Sequence, residues 1–413
     1  MVLYLFCIDL ADRFGPSRRP SGRDGADILL TGTFYSDQWL ATHLVPLARS
    51  RGCRRLRMVA SVRIPPIENV EAVYPPRWLM QAVGAVPARL LTFAWLGLTT
   101  RPHIVGGFHL LVNGLLAVLI ARVIGARSLY ICGGGPREVL GGGYSTENRL
   151  FNRLGVPDPV IERQLLRAVA ACDVVITMGT RAVEFFRERG IRTAYHIVPG
   201  GFSREVFFPA DTAPSVDLIL VGRLSAVKRV DVFLRAILAL RNTLPNVTAA
   251  VVGDGPLRAS LEQLSASLGL DRQVRFVGHQ GDIHAWLQRA KVFVLTSDSE
   301  GLSQAMIQAM MCGLPPVVSH VGDLADLVQD GVNGYLVSDR TPEAFADRFR
   351  VLLTESDHWR RCSLAARHTA ERFEVNNVSR QWDAIWGVLP DQQGVETEVG
   401  DPDGAVSKPQ RKE

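Results

Sequence analysis

Arg223 and Lys228 follow an apolar run, 218–222, that ends on Gly222, and they precede an amphipathic stretch at 231–244 with helical periodicity. A strand end, a cationic loop and a helix start in that order set a guanidinium and an ammonium beside free backbone N–H groups and the positive end of a helix dipole. That chemistry suits a phosphate or pyrophosphate. Lysine occurs only at 228, 291, 408 and 412, which marks its use in this loop. A solvated basic turn fits the local sequence as well.

Two further segments carry chemistry. The run Val251-Val-Gly-Asp-Gly-Pro-Leu-Arg258 joins a strand to a helix and lacks the third glycine of a dinucleotide fingerprint. It therefore reads as a tight turn at Gly253 rather than an NAD site, with Arg258 able to add charge to a nearby phosphate. In the segment 297–308, Glu300 sits in a loop at a strand end, Ser303 is a natural N-cap and Gln308 lies two turns into the helix. The carboxylate could accept sugar hydroxyls, the N–H groups of Gly301, Leu302 and Ser303 could face an anion, and Gln308 could bond a diol. All three would serve one nucleotide sugar. Asp298 and Glu300 form an acid pair without a third ligand, so no metal is expected.

These segments need a scaffold of parallel strands. Strand-like runs at 27–32, 58–62, 103–105, 128–132, 174–177 and 195–198 alternate with helical windows, and after a Pro- and Gly-rich stretch at 199–215 the alternation restarts. It continues at 218–221, 249–252, 274–277, 292–295 and 316–319. The expected class is α/β with two Rossmann-like parallel-sheet domains. The expected division is a leader at 1–26, an N-terminal domain at 27–200, a C-terminal domain at 201–373, a helix at 374–390 returning toward the first domain, and a disordered tail at 391–413. Trp382 and Trp386, four residues apart, predict one packed face on that last helix.

Composition agrees with a globular protein: 47% of the 413 residues are hydrophobic and 21% charged, and the length exceeds what one core organises. Residues 1–205 hold 25 arginines and no lysine against 15 acidic residues, a surplus of 10, whereas residues 206–413 hold 21 basic against 26 acidic. The basic half predicts an anionic substrate or peripheral association with an anionic membrane, or simply a solvated arginine-rich surface. Nucleic acid is not expected as a partner. The six cysteines form no Cys-x-x-Cys pair, the apolar run at 2–10 is a poor signal peptide, and no run is long enough to cross a bilayer, so a cytoplasmic protein is expected.

Taken in order, Gly222-Arg-Leu-x-x-x-Lys228, Val252-Gly-Asp-Gly-Pro256, Phe276-Val-Gly278, Glu300-Gly301, Ala309-Met-x-Cys-Gly313 and Asp330-Gly-x-Asn-Gly334 resemble the retaining GT-B glycosyltransferases of family 4. The resemblance implies two lobes facing a central cleft and hexose transfer from a nucleotide-diphosphate sugar, a co-substrate, to an acceptor hydroxyl of a saccharide or lipid-linked acceptor. It implies retention of configuration, with no separate cofactor. Arg223 and Lys228 would bind the donor pyrophosphate, Glu300 with the backbone of Gly301 to Ser303 would hold the sugar, and Gly278 would receive the base. The family's second glutamate falls on Gln308, which exchanges a charge-assisted hydrogen bond to ribose for a neutral one of about half the strength. The competing expectation is a non-catalytic nucleotide-sugar-binding or scaffold protein with the same fold.

The N-terminal half departs further from the family. Gly32-Thr-Phe stands for a glycine pair, and Gly106-Gly-Phe-His109 for a His-x-His, so His109 is a candidate for the donor sugar or a backbone-bonded loop histidine. Gly134 and Glu138, beside the glycine triplets at 133–135 and 141–143, are candidates for the acceptor, or members of flexible turns.

Overall fold

Short apolar runs alternating with helices form two all-parallel sheets in the computed structural model, which describes residues 1–19, 25–34, 36–143, 156–211 and 213–387. The first sheet contains β1 (Ala26–Thr31), β2 (Cys53–Val59), β3 (Val70–Val73), β4 (Ile104–Phe108), β5 (Arg127–Cys132), β6 (Val174–Thr177) and β7 (Ala194–Ile197). The second contains β8 (Val216–Val221), β9 (Ala249–Val252), β10 (Val274–Gly278), β11 (Ala290–Leu295), β12 (Pro316–Ser319) and β13 (Tyr335–Val337). Their spatial orders are β3-β2-β1-β4-β5-β6-β7 and β10-β9-β8-β11-β12-β13.

In each sheet the chain starts in the middle, moves to one edge, and then crosses back to build the other. The order reverses between β1 and β4 and again between β8 and β11, where loops leaving the carboxyl ends diverge and open a crevice for ligands. Gly32 follows β1, His109 follows β4, the 222–228 loop follows β8 and the 297–303 loop follows β11.

The central strands are buried on both faces, so they read as unbroken apolar runs. The helix Val230–Arg241 covers β8 with Val230, Phe233, Leu234, Ile237 and Leu240, spaced to lie on one stripe, and each such burial is worth about 1.5–3 kcal/mol. The strands β3 and β13 were not foreseen. Both are short edge strands with one neighbour each; β3 is only half-buried, and β13 is apolar but three residues long, too short to show a period.

Two helices depart from their place in the chain. Val2–Phe14, within the expected leader, is helical and lies on the helices Leu115–Ile124 and Pro159–Ala170; Tyr4 donates its hydroxyl to the Leu115 carbonyl at 3.0 Å. Val375–Trp386 follows the second sheet but packs on Asp37–Arg49 of the first domain. Its Val378, Trp382, Ile385 and Trp386 join the first domain's core, and the two indoles stack at 5.4 Å. Phe202 and Val375 hold the two interdomain crossings side by side through Phe202 N–H to Phe373 O and Val375 N–H to Phe202 O. The tail expected at 391–413 lies outside the described residues.

Candidate active site

The loops that leave β8, β9 and β10 are bonded backbone to backbone. Gly222 N–H donates to Val252 O, Gly253 N–H to Gly278 O, and Leu224 N–H to Asp254 O. Gly253 has φ +140°, and a side chain there would drive its Cβ to 1.9 Å from the Gly222 carbonyl oxygen. The glycine at the turn is thus required by close approach to the cationic loop, not by a dinucleotide. Arg258 reaches over Gly278 and pairs with Asp254 and Glu262, so its charge is engaged at the surface.

Lys228 closes a single 3-10 turn, Ala226–Lys228, immediately before the helix Val230–Arg241. Its backbone is fixed from the neighbouring strand end: Thr296 donates its hydroxyl to the carbonyls of Lys228 and Arg229, and Asp298 N–H donates to Val227 O. The side chain runs beside Gly222 and places Nζ 2.6 Å from Glu300 Oε1, which also accepts the Ser297 hydroxyl. The structure therefore joins the two residues for which sequence offered different duties. An ammonium has three donors, and Glu300 engages one, so others remain for an anion. Arg223 stands exposed on the same loop.

The Glu300 loop is held from behind. Gly322, at φ +59°, lies so close that a Cβ there would sit 1.8 Å from the Glu300 carbonyl oxygen. Gly301 is exposed with open space where a Cβ would be, Leu302 anchors the loop in the core, and the Ser303 hydroxyl caps the helix Gln304–Met311 by accepting from Met306 N–H. Gln308 is buried on that helix, 3% exposed. Asp298 faces Arg229 and Arg340 rather than Glu300, so the acid pair read from sequence diverges.

Across the cleft, His109 has φ +65°, unusual for a residue with a Cβ, and its ring lies parallel to Trp39 at 6.2 Å. Its Nδ1 is 2.9 Å from Glu138 Oε1. Glu138 is buried and takes three more donors: Gly134 N–H, Leu110 N–H and the Tyr130 hydroxyl. Its carboxylate is therefore spent on shaping this loop, and it reaches a ligand only through His109. Burial pulls the His109 imidazole down, but the Glu138 charge, their hydrogen bond and the Thr33 backbone outweigh it and the net direction is up. Burial likewise raises the Glu138 carboxyl, but His109 and the backbone donors outweigh it and hold it below its usual value. A carboxylate only accepts, so Nδ1 carries the proton in this pair.

Sequence reasoning missed Arg89. The helix Ala85–Thr100 buries its guanidinium, which donates to Gly32 O, Thr31 Oγ1 and Asn113 Oδ1, while Asn113 donates to Phe108 O at 2.8 Å. It ties the end of β1 to the end of β4, and burial lowers its pKa to about 10, still charged at neutral pH. Trp39 was missed as well; its only signal is its place in the first turn after β1.

The carboxyl ends of the two sheets face each other. Arg137 donates to Ser299 Oγ at 2.8 Å and Gln304 to Thr42 Oγ1 at 3.0 Å. The helix Thr180–Glu188 has no cap of its own at Gly179; Asp326 accepts from Thr180 N–H and hydroxyl, and Asp323 from Arg181 N–H. A helix end in one domain is thus capped by carboxylates of the other.

Residues 209–369 match the family model described as glycosyl transferases group 1. The match lies within the second domain and covers 161 of the 413 residues. Over 186 residues it is 37% identical to a D-inositol 3-phosphate glycosyltransferase of Frankia alni, covering 40% of this chain and 45% of that one. Over 242 residues it is 30% identical to a GDP-mannose-dependent phosphatidylinositol dimannoside mannosyltransferase of Mycobacterium tuberculosis, covering 55% and 60%. The chain therefore spans about half the length of these curated relatives. In structure it is similar to Anabaena HepE solved with UDP, at TM-score 0.65 and 19% identity over 88% of this chain and all of that one. The fold of the chain is GT-B, two parallel-sheet domains across a cleft.

Proposed function

We propose that this chain is a group 1 glycosyl transferase that transfers a hexose from a nucleotide-diphosphate sugar to an acceptor hydroxyl, with retention of configuration and with neither metal nor separate cofactor. The observation that carries the reading is the Lys228–Glu300 pair, set at the order reversal of the second sheet and beside a helix start. Anabaena HepE, with the same fold, is solved with UDP-glucose, and the two curated relatives above are glycosyltransferases by name, which supports a nucleotide-sugar donor and a role in polysaccharide or glycolipid biosynthesis.

In this reaction the sugar C1–O bond breaks, the acceptor oxygen bonds C1 from the same face, and its proton passes to an oxygen of the departing β-phosphate. Negative charge grows on that phosphate as the bond lengthens. Arg223, Lys228 and the N–H groups near Val230 stabilise it, a contribution that fixed dipoles and cations make larger in a site closed to water. Glu300 and the backbone of Gly301, Leu302 and Ser303 hold the sugar hydroxyls. Gln308 bonds the ribose, Gly278 lies under the base, and His109 meets the sugar from the opposite lobe beside Gly32. Gly134 and Glu138 shape that lobe, and the acceptor enters between them and the cleft.

A mass-spectrometric screen of nucleotide sugars against the purified chain, with and without membrane extract, tests this. Release of free nucleotide that depends on acceptor is the expected result. Donor binding with no turnover across saccharide and lipid acceptors would turn the assignment to a binding or scaffold role.

A further inference from the structure

Two helices of the first domain present apolar side chains to solvent in register. On Val2–Phe14, Leu3, Phe6, Leu10 and Phe14 are exposed, Phe6 at 61% and Phe14 at 73%, while Ile8 alone among the described side chains of that helix is fully buried in the core. On Ala85–Thr100, Leu91, Trp95 and Leu98 recur at helical spacing, with Trp95 62% exposed. Both helices pack on Leu115–Ile124, and Arg19 joins their far ends by donating to the carbonyls of Arg101 and Pro102 and, from its backbone, to Gly125. Their outer sides therefore border one stretch of surface. Its exposed apolar residues are grouped on helix faces and include Phe6, Phe14 and Trp95, unlike the singly scattered ones normal on a soluble protein.

The charge around this surface selects its partner. From Ala72 to Arg137 the chain holds six arginines and no acidic residue, but Arg89 is buried in the site, Arg122 is paired with Asp12 and Asp173, and Arg137 meets Ser299 of the other domain. Arg77 and Arg101, at the ends of the second apolar helix region, are exposed, as is Arg13 beside Phe14. On the first helix Asp12 faces Arg122 at 3.2 Å, and Asp9 is exposed. We infer that this surface lies on a phospholipid bilayer with anionic headgroups, the two helices inserting Phe and Trp side chains to the acyl boundary while arginines meet the phosphates. Helices lying flat with one apolar side and a basic margin fit an interface plane, and indole rings favour the headgroup level. No helix among the described residues is long and apolar enough to cross a membrane, so the contact is monotopic.

The near ends of both helices lie toward the cleft. Tyr4 is bonded to Leu115, at the start of Leu115–Ile124, and in parallel α/β sheets helices start at the end of the sheet where strands finish. The bilayer surface thus runs up to the mouth of the site.

Flotation of the full chain with vesicles is the test. Wild type is expected to float with vesicles of equal parts phosphatidylcholine and phosphatidylglycerol and less with phosphatidylcholine alone. The double variant Phe6→Asp, Trp95→Asp should lower the floated fraction at least roughly tenfold, and the milder Leu91→Ser, Leu98→Ser partly. All four side chains are solvent-exposed, so circular dichroism melts should match wild type. Wild type remaining unfloated with both lipids, or variants floating like wild type, would overturn the inference. So would a wild-type dimer that the double variant makes monomeric, since the face would then bind a second copy. Calorimetric binding of nucleoside diphosphates stays unchanged in these variants, so the membrane surface and the transferase reading fail separately.

Discussion

Lys228 and Glu300 hold each other 2.6 Å apart with 20% and 9% of their side chains exposed, so a diphosphate reaching Lys228 shares it with Glu300 rather than replacing a solvent shell alone. Removing one such donor in an enclosed site costs about 3–4 kcal/mol, so Lys228→Ala is expected to lower turnover a hundredfold or more while the chain still folds. Steady-state nucleotide release and a thermal melt check the two halves of that expectation. At His109 the pair with Glu138 sets a pH dependence. His109 is raised, so its contribution to stability is complete below the unfolded imidazole value near 6.5 and is lost as pH rises through its folded value. Glu138 is lowered, so its contribution is present above about 4.5 and is lost as pH falls through its folded value. The two overlap between about 4.5 and 6.5, where buried His43, lowered to about 4, is largely neutral, and Tyr130 and Cys132, both raised by burial, keep their protons. Glu138→Gln should therefore cost most stability in that window and less as pH rises beyond it, measured by urea unfolding across pH; a loss independent of pH would show that the pair is not ionised. The positions of Arg223, Lys228 and Glu300 on loops after strand ends were legible because apolar runs and motif order mark them. The role of Glu138 was not, because its four donors come from backbone and from residues that only the fold brings near.

The strands that carry the site announce themselves as apolar runs, and so β1, β4, β8 and β11 were readable while the edge strands β3 and β13 were not. A cap supplied from another domain leaves no local trace at all. The helix Thr180–Glu188 begins at Gly179 with no side-chain cap, and its first N–H groups are met by Asp326 and Asp323 from the loop after β12. Burial raises the Asp323 carboxyl, with the Arg181 N–H opposing it. Asp326→Ala should lower unfolding free energy by about 1 kcal/mol, the usual cost of a lost cap. Because this cap spans the two lobes, small-angle scattering of the variant should also show a larger radius of gyration. An unchanged radius would mean that Arg137–Ser299 and Gln304–Thr42 hold the lobes without it.

Domain count and the α/β class followed from length and alternation, and the return of the last helix with Trp382 and Trp386 on its packed face was expected too, but the partners of that face on Asp37–Arg49 come only from the fold. Val375–Trp386 closes the core of the first domain although it follows the second, with Trp382 2% exposed and Asp383 accepting from Gly52 N–H at 3.1 Å. Trp382→Ala should cost about 3–5 kcal/mol by opening a cavity there, and hydrogen exchange should report the loss in β1 and β2 more than in β8 and β9. That packing ties the two domains together through the last helix, and the proposed donor would sit in the loops between them. Whether they grip a diphosphate is settled by calorimetric titration of UDP, GDP and ADP into the wild-type chain and Lys228→Ala. At least one nucleotide should bind wild type and bind the variant at least about tenfold more weakly, the loss of a charge-assisted contact. Equal binding by both, or binding by neither, would contradict the assignment of the loop after β8.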